Sequence, residues 1–427
     1  GRRSVTGPEA PQTAMVRSHK SVYPSNRASI RLVTRRWPAR IRTYTWFTAE
    51  MGPRCRHTEG PAMNECTHIG LDVHKDTIAV AVLRPGTTEV DERVVPNTPE
   101  AIRRLLTRHD PGLTTLCYEA GPTGYDTHRL IRSLGFDCDV IAPSMIPRRS
   151  GARVKTDRID ARNLARLHRA GELTSVRVPG AAEEAVRDLI RVREEVKCDR
   201  RVARQRIRSF LMRYGKRYPG PRDAWSHRFE VWARSLSFDE PHAQEAFSHL
   251  LGAYFIKDTH LAEMGRRIEE IAGSEPFASD VARLSTLRGI STLSAMTIIS
   301  ETCDFHRFGS AGSYMGFTGL TPSEHSSGAS RHQGSITKTG NRHIRRVLVE
   351  SAWAYRHAPA VRGKLRDRLE GMPPEVAAYS WAAQVRLNRT FRTVSARKGA
   401  HTAVVATARE LSGFVWGLMT DNLGPAR

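Results

Sequence analysis

Hydrophobic and polar residues alternate from residue 67 onward in a pattern that predicts β-strands. Ile69, Leu71 and Val73 share one face of a strand over 67–73, and a second alternating run covers 77–83. The short polar stretch between them predicts a hairpin. The pattern continues with a strand over 88–95, a helix over 98–109 capped by Thr98, a strand over 113–119, a helix over 123–134, a strand over 136–142 and a helix from about Thr156. A meander followed by alternating strands and helices predicts a mixed α/β sheet.

The pattern becomes helical between about 180 and 272. Apolar residues recur at intervals of three, four and seven and predict one helical stripe, formed by Leu189, Val192, Val196, Ala203, Ile207 and Phe210. The stretch 200–208 contains arginines and no acidic residue, which favours a phosphate-facing surface over a merely solvated one. The candidates for nucleic-acid contact here are Arg200, Arg201, Arg204 and Arg208. We expect a helical coiled-coil arm.

A third, mainly α-helical unit is predicted from 281 onward. Two short helices broken at Arg288–Ser291 resemble a helix-hairpin-helix, which can offer backbone N–H groups to a phosphate. A Gly- and Ser-rich loop over 309–340 with little regular structure comes next. The following amphipathic helix has an apolar side of Ile344, Val347, Leu348, Ser351 and Tyr355, opposite a basic side of Arg342, Arg345 and Arg346.

The predicted domain order is a basic extension over 1–62, an α/β domain over 63–175, a helical arm over 176–280 and a mainly α domain over 281–427. The extension contributes +9 of the net charge of +23. It fits a disordered phosphate-binding arm, a transit peptide, or upstream sequence read in frame. We favour the last interpretation, with Met63 as the start, because a strong strand pattern begins soon after it.

The amino-acid composition limits which classes of binding partner and which cellular compartment are expected. A pI near 10.5 indicates a polyanionic partner, either nucleic acid or an anionic membrane surface. No apolar run approaches the 18 or so residues that a bilayer span requires, which excludes a transmembrane protein. The six cysteines show neither a C-x-x-C pair nor zinc-ligand spacing. We therefore expect a cytoplasmic protein with reduced thiols.

Four carboxylates are candidates for metal chemistry. Asp72 lies near the end of the first strand, Glu119 ends a later strand, and Asp157 and Asp160 are three residues apart at a helix start. Each has a simpler interpretation as a turn residue, helix cap or surface acid. Acids that converge in such a basic chain favour a metal site, and four oxygen ligands would suit two Mg²⁺ ions.

Several motifs resemble one family of transposases. The segments G-L-D-V-H-K at 70–75, Y-E-A-G at 118–121 and K-T-D-R-I-D-A at 155–161 resemble the RuvC-like (RNase H-like) Asp-Glu-Asp-Asp domain of the insertion-sequence "one-hundred-and-ten" family. This family includes Piv-type invertases and bridge-RNA-guided recombinases. The C-terminal motifs are similar to its serine transposase domain: L-R-G-I-S at 287–291, F-T-G-L-T-P at 317–322, S-S-G at 326–328 and I-T-K-T-G-N-R-H-I-R-R at 336–346.

The resemblance implies roles for individual residues. Asp72, Glu119, Asp157 and Asp160 would form the metal-binding catalytic quartet. Ser327 would be the nucleophile, with Ser326 as the alternative if the motif is displaced by one residue. Arg331 and Lys338 are further candidates for stabilising phosphate charge. The family usually has Pro-Gly-Ile-Gly where this chain has Arg288-Gly289-Ile290-Ser291, and a serine suits a positive-φ turn less well than glycine.

The resemblance also implies the reaction and the partners. We expect a recombinase that cuts and exchanges strands of double-stranded DNA at element ends and target through a phosphoserine intermediate. An element-encoded noncoding RNA would choose the sequences, a homotetramer would assemble the sites, and the protein would associate with the bacterial nucleoid. The alternatives are a RuvC-like junction-resolving endonuclease that uses the quartet alone, and a binding protein that has lost catalysis.

Overall fold

The computed structural model describes residues 65–147, 156–220, 225–327 and 330–424, without the side chains of 325–333. The basic extension and Met63 lie outside the described residues, so the interpretations of that segment stay predictions. The predicted domain boundaries also stay predictions. Within the described chain, large hydrophobic cores occur in the sheet, in the outer part of the arm and in the C-terminal region.

A six-stranded mixed sheet opens the described chain, as the alternating pattern predicts. Its strands are β1 (Thr67–Val73), β2 (Thr77–Leu83), β3 (Val90–Pro96), β4 (Thr114–Glu119), β5 (Asp137–Ile141) and β6 (Ser175–Val176). Their spatial order is β3-β2-β1-β4-β5-β6. Strands β1, β4 and β5 are parallel to one another, whereas β2, β3 and β6 are each antiparallel to their neighbours.

Three helices accompany the sheet: α1 (Pro99–Leu106), α2 (Asp126–Ser133) and α3 (Asp157–Arg169). The predicted cap Thr98 is confirmed, since its hydroxyl accepts a hydrogen bond from the Ala101 amide. Helix α3 packs on β1, β2 and β4. Because a helix covers the face of β1 opposite Ile69 and Leu71, His68 and Gly70 on that face are buried as well.

The arm consists of α4 (Ala181–Arg213), the short α5 (His227–Arg234) and α6 (Pro241–Ala272). Helices α4 and α6 run antiparallel. As the residue numbers increase along α4, the numbers of the residues that they contact on α6 decrease. Arg193 lies beside Gly265, Arg200 pairs with Asp258, and Phe210 stacks on Phe247. Buried residues of α6 recur every seven positions, at Phe247, Tyr254, Leu261 and Ile268.

The predicted apolar stripe of α4 is wrong at one residue, Val192. Val192 is 47% exposed, whereas Ile190 is buried in the C-terminal core. Ala203, Ile207 and Phe210 are buried as predicted. The stripe therefore changes partner along α4: its first half packs on the C-terminal region and its second half on α5 and α6, so one period does not describe the whole helix.

The C-terminal region is mostly helical. It contains α7 (Ala278–Ser285), α8 (Thr292–Thr302), α9 (Ala311–Thr318), β7 (Pro322–Ser327), β8 (Ser330–Ile336), α10 (Arg342–Ala352), α11 (Lys364–Leu369), α12 (Pro374–Lys398) and α13 (Ala400–Met419). The predicted apolar side of α10 is confirmed, since Ile344, Val347 and Leu348 are buried. Buried residues from the long pair α12 and α13 complete this core.

The prediction of a largely irregular loop over 309–340 is wrong. Helix α9 fills its first part, and β7 and β8 form an antiparallel hairpin in its second part. The helix was missed because its sequence, A-G-S-Y-M-G-F-T, contains two glycines that locally disfavour helix. Burial of Tyr314 and Thr318 compensates for this low propensity.

The break between α7 and α8 has a different geometry from the one that the sequence suggested. The positive φ of 90° is at Gly289, and Ser291 instead caps α8 by accepting a hydrogen bond from the Ser294 amide. A Cβ on Gly289 would lie 2.3 Å from the Ser351 carbonyl oxygen of α10. Serine is thus well suited to the last position, and glycine is required two residues earlier.

Among the described residues, no helix combines the length and apolar character needed to cross a bilayer. Of the cysteines in the described part of the chain, Cys117, Cys138, Cys198 and Cys303 are not in disulfide bonds.

Candidate metal centre

The parallel pair β1 and β4 brings the first two predicted acids to one edge of the sheet. Leu71 pairs with Tyr118, so Asp72 and Glu119 are the next residues on neighbouring strands. Both strands end at this edge. The carboxyl ends of parallel strands are a common place for ligand sites in α/β sheets. The side chain of Asp72 is 18% exposed, whereas Glu119 is exposed.

The other two acids lie in the first turn of α3. Thr156 is the N-cap and accepts a hydrogen bond from the Ile159 amide. The interpretation of Asp157 as the cap is therefore wrong. Asp157 and Asp160 are three residues apart and lie on one side of the helix. Both also lie where the helix dipole favours negative charge.

Gly70 allows α3 to approach β1 closely. A Cβ at this position would lie 2.2 Å from the Ala161 carbonyl oxygen and 2.6 Å from the Ala165 amide nitrogen. Both atoms belong to the backbone of α3, so a side chain could be accommodated only by moving the helix. The missing side chain thus sets the distance between Asp72 on β1 and the acids on α3.

We expect Gly70→Ala to lower the free energy of unfolding by about 2 kcal/mol, the usual scale of overpacking. It should also weaken divalent-metal binding, because α3 moves away from Asp72. Urea denaturation and Mn²⁺ titration measure the two effects. The matched control is Gly252→Ala in α6, where no atom lies within 4 Å of the added Cβ and helix propensity favours alanine. Unchanged stability and metal affinity in Gly70→Ala would contradict this role.

Asp72 and Asp157 converge on one histidine. The Nε2 atom of His74 lies 3.3 Å from Oδ2 of Asp72 and 3.4 Å from Oδ1 of Asp157. One ligand atom from each of the three residues falls within 4.8 Å of the other two. Two carboxylate oxygens and an imidazole nitrogen form a donor set that suits a divalent transition-metal ion.

Burial and neighbouring negative charge act together on the Asp72 carboxyl. Burial raises the pKa of the Asp72 carboxyl, and the neighbouring carboxylates of Asp157 and Asp160 raise it further. His74 opposes this effect through its charge and its hydrogen bond. A metal cation would relieve the same repulsion, since it favours the ionised form of every nearby carboxylate.

The structure thus brings the predicted quartet together only in part. Asp72 and Asp157 meet at His74, and Asp160 is near enough for its charge to act on Asp72. Glu119 shares the sheet edge but is outside this group. His74 belongs to the short polar stretch between β1 and β2, for which the sequence predicts only a hairpin turn. The signal that could have found it is its spacing, since residues i and i+2 of an extended segment lie on one side.

The candidate nucleophile lies at the end of the C-terminal hairpin. Ser327 pairs with Ser330, and Ser326 pairs with Arg331, in the register of β7 and β8. The side chains of Ser326, Ser327 and Arg331 lie outside the described residues. Their predicted roles therefore remain predictions, although the backbone places both serines on β7 rather than in an irregular loop.

A buried ion pair joins the arm to the C-terminal region. Arg191 of α4 donates two hydrogen bonds to the Glu301 carboxylate of α8, at 2.7 and 2.9 Å, and the Glu301 side chain is 1% exposed. Asn341 donates to the same carboxylate at 2.7 Å and also caps α10. Burial opposes the ionisation of Glu301, but Arg191 and Asn341 lower its pKa below the ordinary value.

We expect Arg191→Ala to lower the free energy of unfolding by about 3 kcal/mol, because it leaves a buried carboxylate without its cation. Since the folded pKa of Glu301 is depressed, the loss should be full above its ordinary pKa of 4.5 and shrink as the pH falls through the folded value. Denaturant titrations at several pH values test this. The double variant Arg191→Met with Glu301→Gln should recover most of the loss; equal destabilisation of both variants would contradict the explanation.

Five of the predicted nucleic-acid residues line one groove between the arm and α10. Its volume is about 960 Å³, and the five are Arg200, Arg201, Arg204, Arg342 and Arg346. Several also have internal partners. Arg200 pairs with Asp258, Arg346 pairs with Glu194 and Glu350, and Arg204 lies over the Trp225 ring. Arg201 and Arg342 are exposed.

The remaining basic candidates lie apart from this groove or support the backbone. Arg345 donates to the Thr318 carbonyl at 3.0 Å, which ties α10 to the end of α9. Lys338 is exposed and has a positive φ of 58°, which is uncommon for a residue with a side chain. Arg208 is exposed on the second half of α4. Their contacts with nucleic acid stay predictions.

Comparison with known proteins agrees with the motifs. The family described as "Transposase IS116/IS110/IS902 family" matches residues 281–366. A second family model, described as a transposase and named for a DEDD domain of the IS110 type, matches residues 69–216. The second match covers nearly all of the sheet, the four acids and the whole of α4. A DEDD transposase domain points to dependence on a divalent metal, in line with the acidic group around His74.

Full-length relatives extend the match beyond the two models. A protein of Sinorhizobium fredii assigned as a transposase, y4qE, is 40% identical over 83% of this chain and 88% of its own length. The transposase for insertion sequence element IS1533 of Leptospira borgpetersenii is 30% identical over 79% of this chain and 99% of its own length. The chain therefore belongs to the IS116/IS110/IS902 family of insertion-sequence transposases, enzymes that cleave and recombine DNA.

Proposed function

We propose that this transposase exchanges DNA strands through a serine nucleophile, Ser327, assisted by a metal centre built on Asp72, Glu119, Asp157 and Asp160. The observation that carries the proposal is the convergence of Asp72 and Asp157 at one end of the parallel strands, inside the region that matches the DEDD family model. The strand order of the sheet further supports a RuvC-like fold for this region.

Two finer features of the architecture belong to the same proposal. The antiparallel packing of α4 and α6, with buried residues every seven positions on α6, supports a coiled-coil arm. The turn at Gly289 between α7 and α8 supports a helix-hairpin-helix-like element. A basic arm and a backbone turn of this kind both suit contacts with nucleic-acid phosphates.

The residues present fit a divalent metal. The carboxylates of Asp72 and Asp157 would hold it, with Asp160 adding negative charge and Glu119 available at the same edge. Bound there, Mg²⁺ or a similar ion would supply Lewis-acid stabilisation of the phosphate charge that develops during cleavage. We propose two ions, because four carboxylates are more than one ion needs for charge balance.

The covalent step transfers a phosphate linkage from DNA to the protein and back. The Ser327 hydroxyl loses its proton as Oγ bonds to phosphorus, and the bond from phosphorus to one sugar oxygen breaks. That oxygen takes up a proton and leaves as a hydroxyl. An incoming sugar hydroxyl then attacks the phosphoserine, which restores the serine and joins the new strands. No external energy source is required, because each phosphodiester bond broken is replaced.

We further propose three partners or assemblies. Double-stranded DNA at the element ends and target is the substrate, an element-encoded noncoding RNA pairs with it, and a homotetramer brings serine and acids of different subunits together. The groove lined by Arg201 and Arg342 is our candidate for backbone contacts. A protein with a charge of +23 that acts on DNA would associate with the nucleoid.

Mass spectrometry of a trapped complex tests the proposal. The full chain is incubated with the RNA that flanks its element, end-containing DNA and Mg²⁺, then digested and searched for a nucleotide adduct. An adduct on Ser327 is the expected result. Cleaved DNA without any adduct would overturn the serine step and favour a junction-resolving endonuclease that uses the acids alone. Binding of both nucleic acids without cleavage would favour a protein that has lost catalysis.

A further inference from the structure

The strongest feature outside the predicted quartet is His74. Its imidazole occupies the space between the carboxylates of Asp72 and Asp157, with Nε2 at 3.3 and 3.4 Å from their oxygens. Neither the charge pattern nor the four-acid motif requires a histidine here. A nitrogen placed almost equally far from two acidic oxygens is a third donor at the point where a cation would bind.

The backbone of the turn holds His74 in this position. Its amide donates to the Thr77 carbonyl at 2.9 Å, and its carbonyl accepts from the Asn97 side chain at 2.8 Å. Asn97 also donates its own amide to the Asp76 carbonyl at 2.9 Å. The turn is thus fixed at both ends, and the imidazole reaches the acids from a supported backbone rather than from a free loop.

We propose that His74 is a protein ligand of the divalent metal, bound through Nε2 beside Oδ2 of Asp72 and Oδ1 of Asp157. This inference rests on the proposed metal centre and specifies its donor set. In the metal-free protein, Nε2 of His74 lies within ion-pair distance of both carboxylates. With metal present, the same nitrogen binds the cation, because all three ligand atoms lie within 4.8 Å of one another.

The mixed donor set has a consequence for metal choice. Mg²⁺ prefers oxygen ligands in near-ideal octahedral geometry, whereas imidazole nitrogen suits transition-metal ions. A centre with one nitrogen and two carboxylate oxygens should therefore bind Mn²⁺ more tightly than Mg²⁺. Glu119, which lies outside the group, would contribute less to the affinity of this ion than His74 does.

Pulsed electron paramagnetic resonance of bound Mn²⁺ tests the ligand directly, because it detects a ¹⁴N nucleus bonded to the ion. The full chain is stripped with a chelator and given one equivalent of Mn²⁺. We expect ¹⁴N modulation in the wild type and its loss in His74→Gln. The Mn²⁺ dissociation constant should rise by about tenfold or more, since even groups that only support a ligand lower affinity on this scale.

Two controls separate the possible outcomes. His242→Gln, whose side chain is 95% exposed on α6, should keep the ¹⁴N signal. Asp72→Asn should lose Mn²⁺ binding. If Mn²⁺ binds in an Asp72-dependent way but shows no ¹⁴N signal, or if His74→Gln keeps the signal, His74 is not a ligand while the metal centre stands. If the wild type binds no Mn²⁺, or Asp72→Asn binds it equally well, the proposed metal centre fails, and this inference fails with it.

Discussion

Asp72→Asn is expected to slow DNA cleavage by roughly a thousandfold or more, because metal stabilisation of phosphoryl transfer contributes several kcal/mol. Asparagine keeps the shape of the side chain but removes its negative charge. Asp72 is the least exposed of the three residues Asp72, His74 and Asp157. The charges of both α3 acids, Asp157 and Asp160, act on its carboxylate. Its loss should therefore affect the whole centre. Single-turnover cleavage of end-containing DNA with saturating Mg²⁺ gives the rate.

The same substitution should not destabilise the metal-free protein. Burial and the neighbouring carboxylates raise the pKa of Asp72, which means that its ionised form is unfavourable in the folded chain. Removing the charge should leave the metal-free stability unchanged or slightly higher, as often happens at functional sites. Asp126→Asn is the matched control, because this acid of α2 is 95% exposed. Cleavage that continues at the wild-type rate in Asp72→Asn would exclude the residue from catalysis.

Ser327→Ala is expected to abolish both the covalent adduct and strand exchange. Without the hydroxyl, no phosphoserine can form, and the acids of the proposed metal centre alone would give at most hydrolysis. The measurement combines a denaturing gel for protein–DNA adducts with sequencing of the joined products. Retention of full cleavage activity in this variant would support the junction-resolving alternative.

Ser326→Ala is the matched control for this experiment. The two serines occupy successive positions of β7, paired with Arg331 and Ser330 of β8. Successive positions of a strand lie on opposite faces of a sheet, so we expect one serine to react rather than both. An adduct that disappears in Ser326→Ala and persists in Ser327→Ala would move the nucleophile by one residue.

The sheet could be predicted closely from the sequence because its strands carry a local signal. Strands β1 and β2 have the predicted bounds of 67–73 and 77–83. Alternation along these segments reflects the pleat of the backbone itself. Helix α9 could not be predicted in the same way, since its two glycines oppose helix formation and the burial of Tyr314 and Thr318 compensates only in the folded chain.

The sequence was enough to predict which acids belong to the site, but not how the side chains of the site are arranged in space. Asp72 and Asp157 were recognisable as carboxylates at a strand end and a helix start. Nothing in the spacing showed that His74 would lie between them, or that Arg191 and Asn341 would share the Glu301 carboxylate. Such contacts join residues far apart in the chain, and local periodicity does not encode them.

The sequence by itself determined the class of protein and its local elements. The charge of +23, the order of the motifs and the alternating runs lead to a mixed sheet and a transposase family, because each depends on composition or on neighbours along the chain. Only the tertiary structure decided which side chains from distant parts of the chain come into contact. The absence of a side chain at Gly70 lets α3 lie against β1, and this packing, a balance of sterics and burial between distant segments, places two carboxylates and an imidazole around one point.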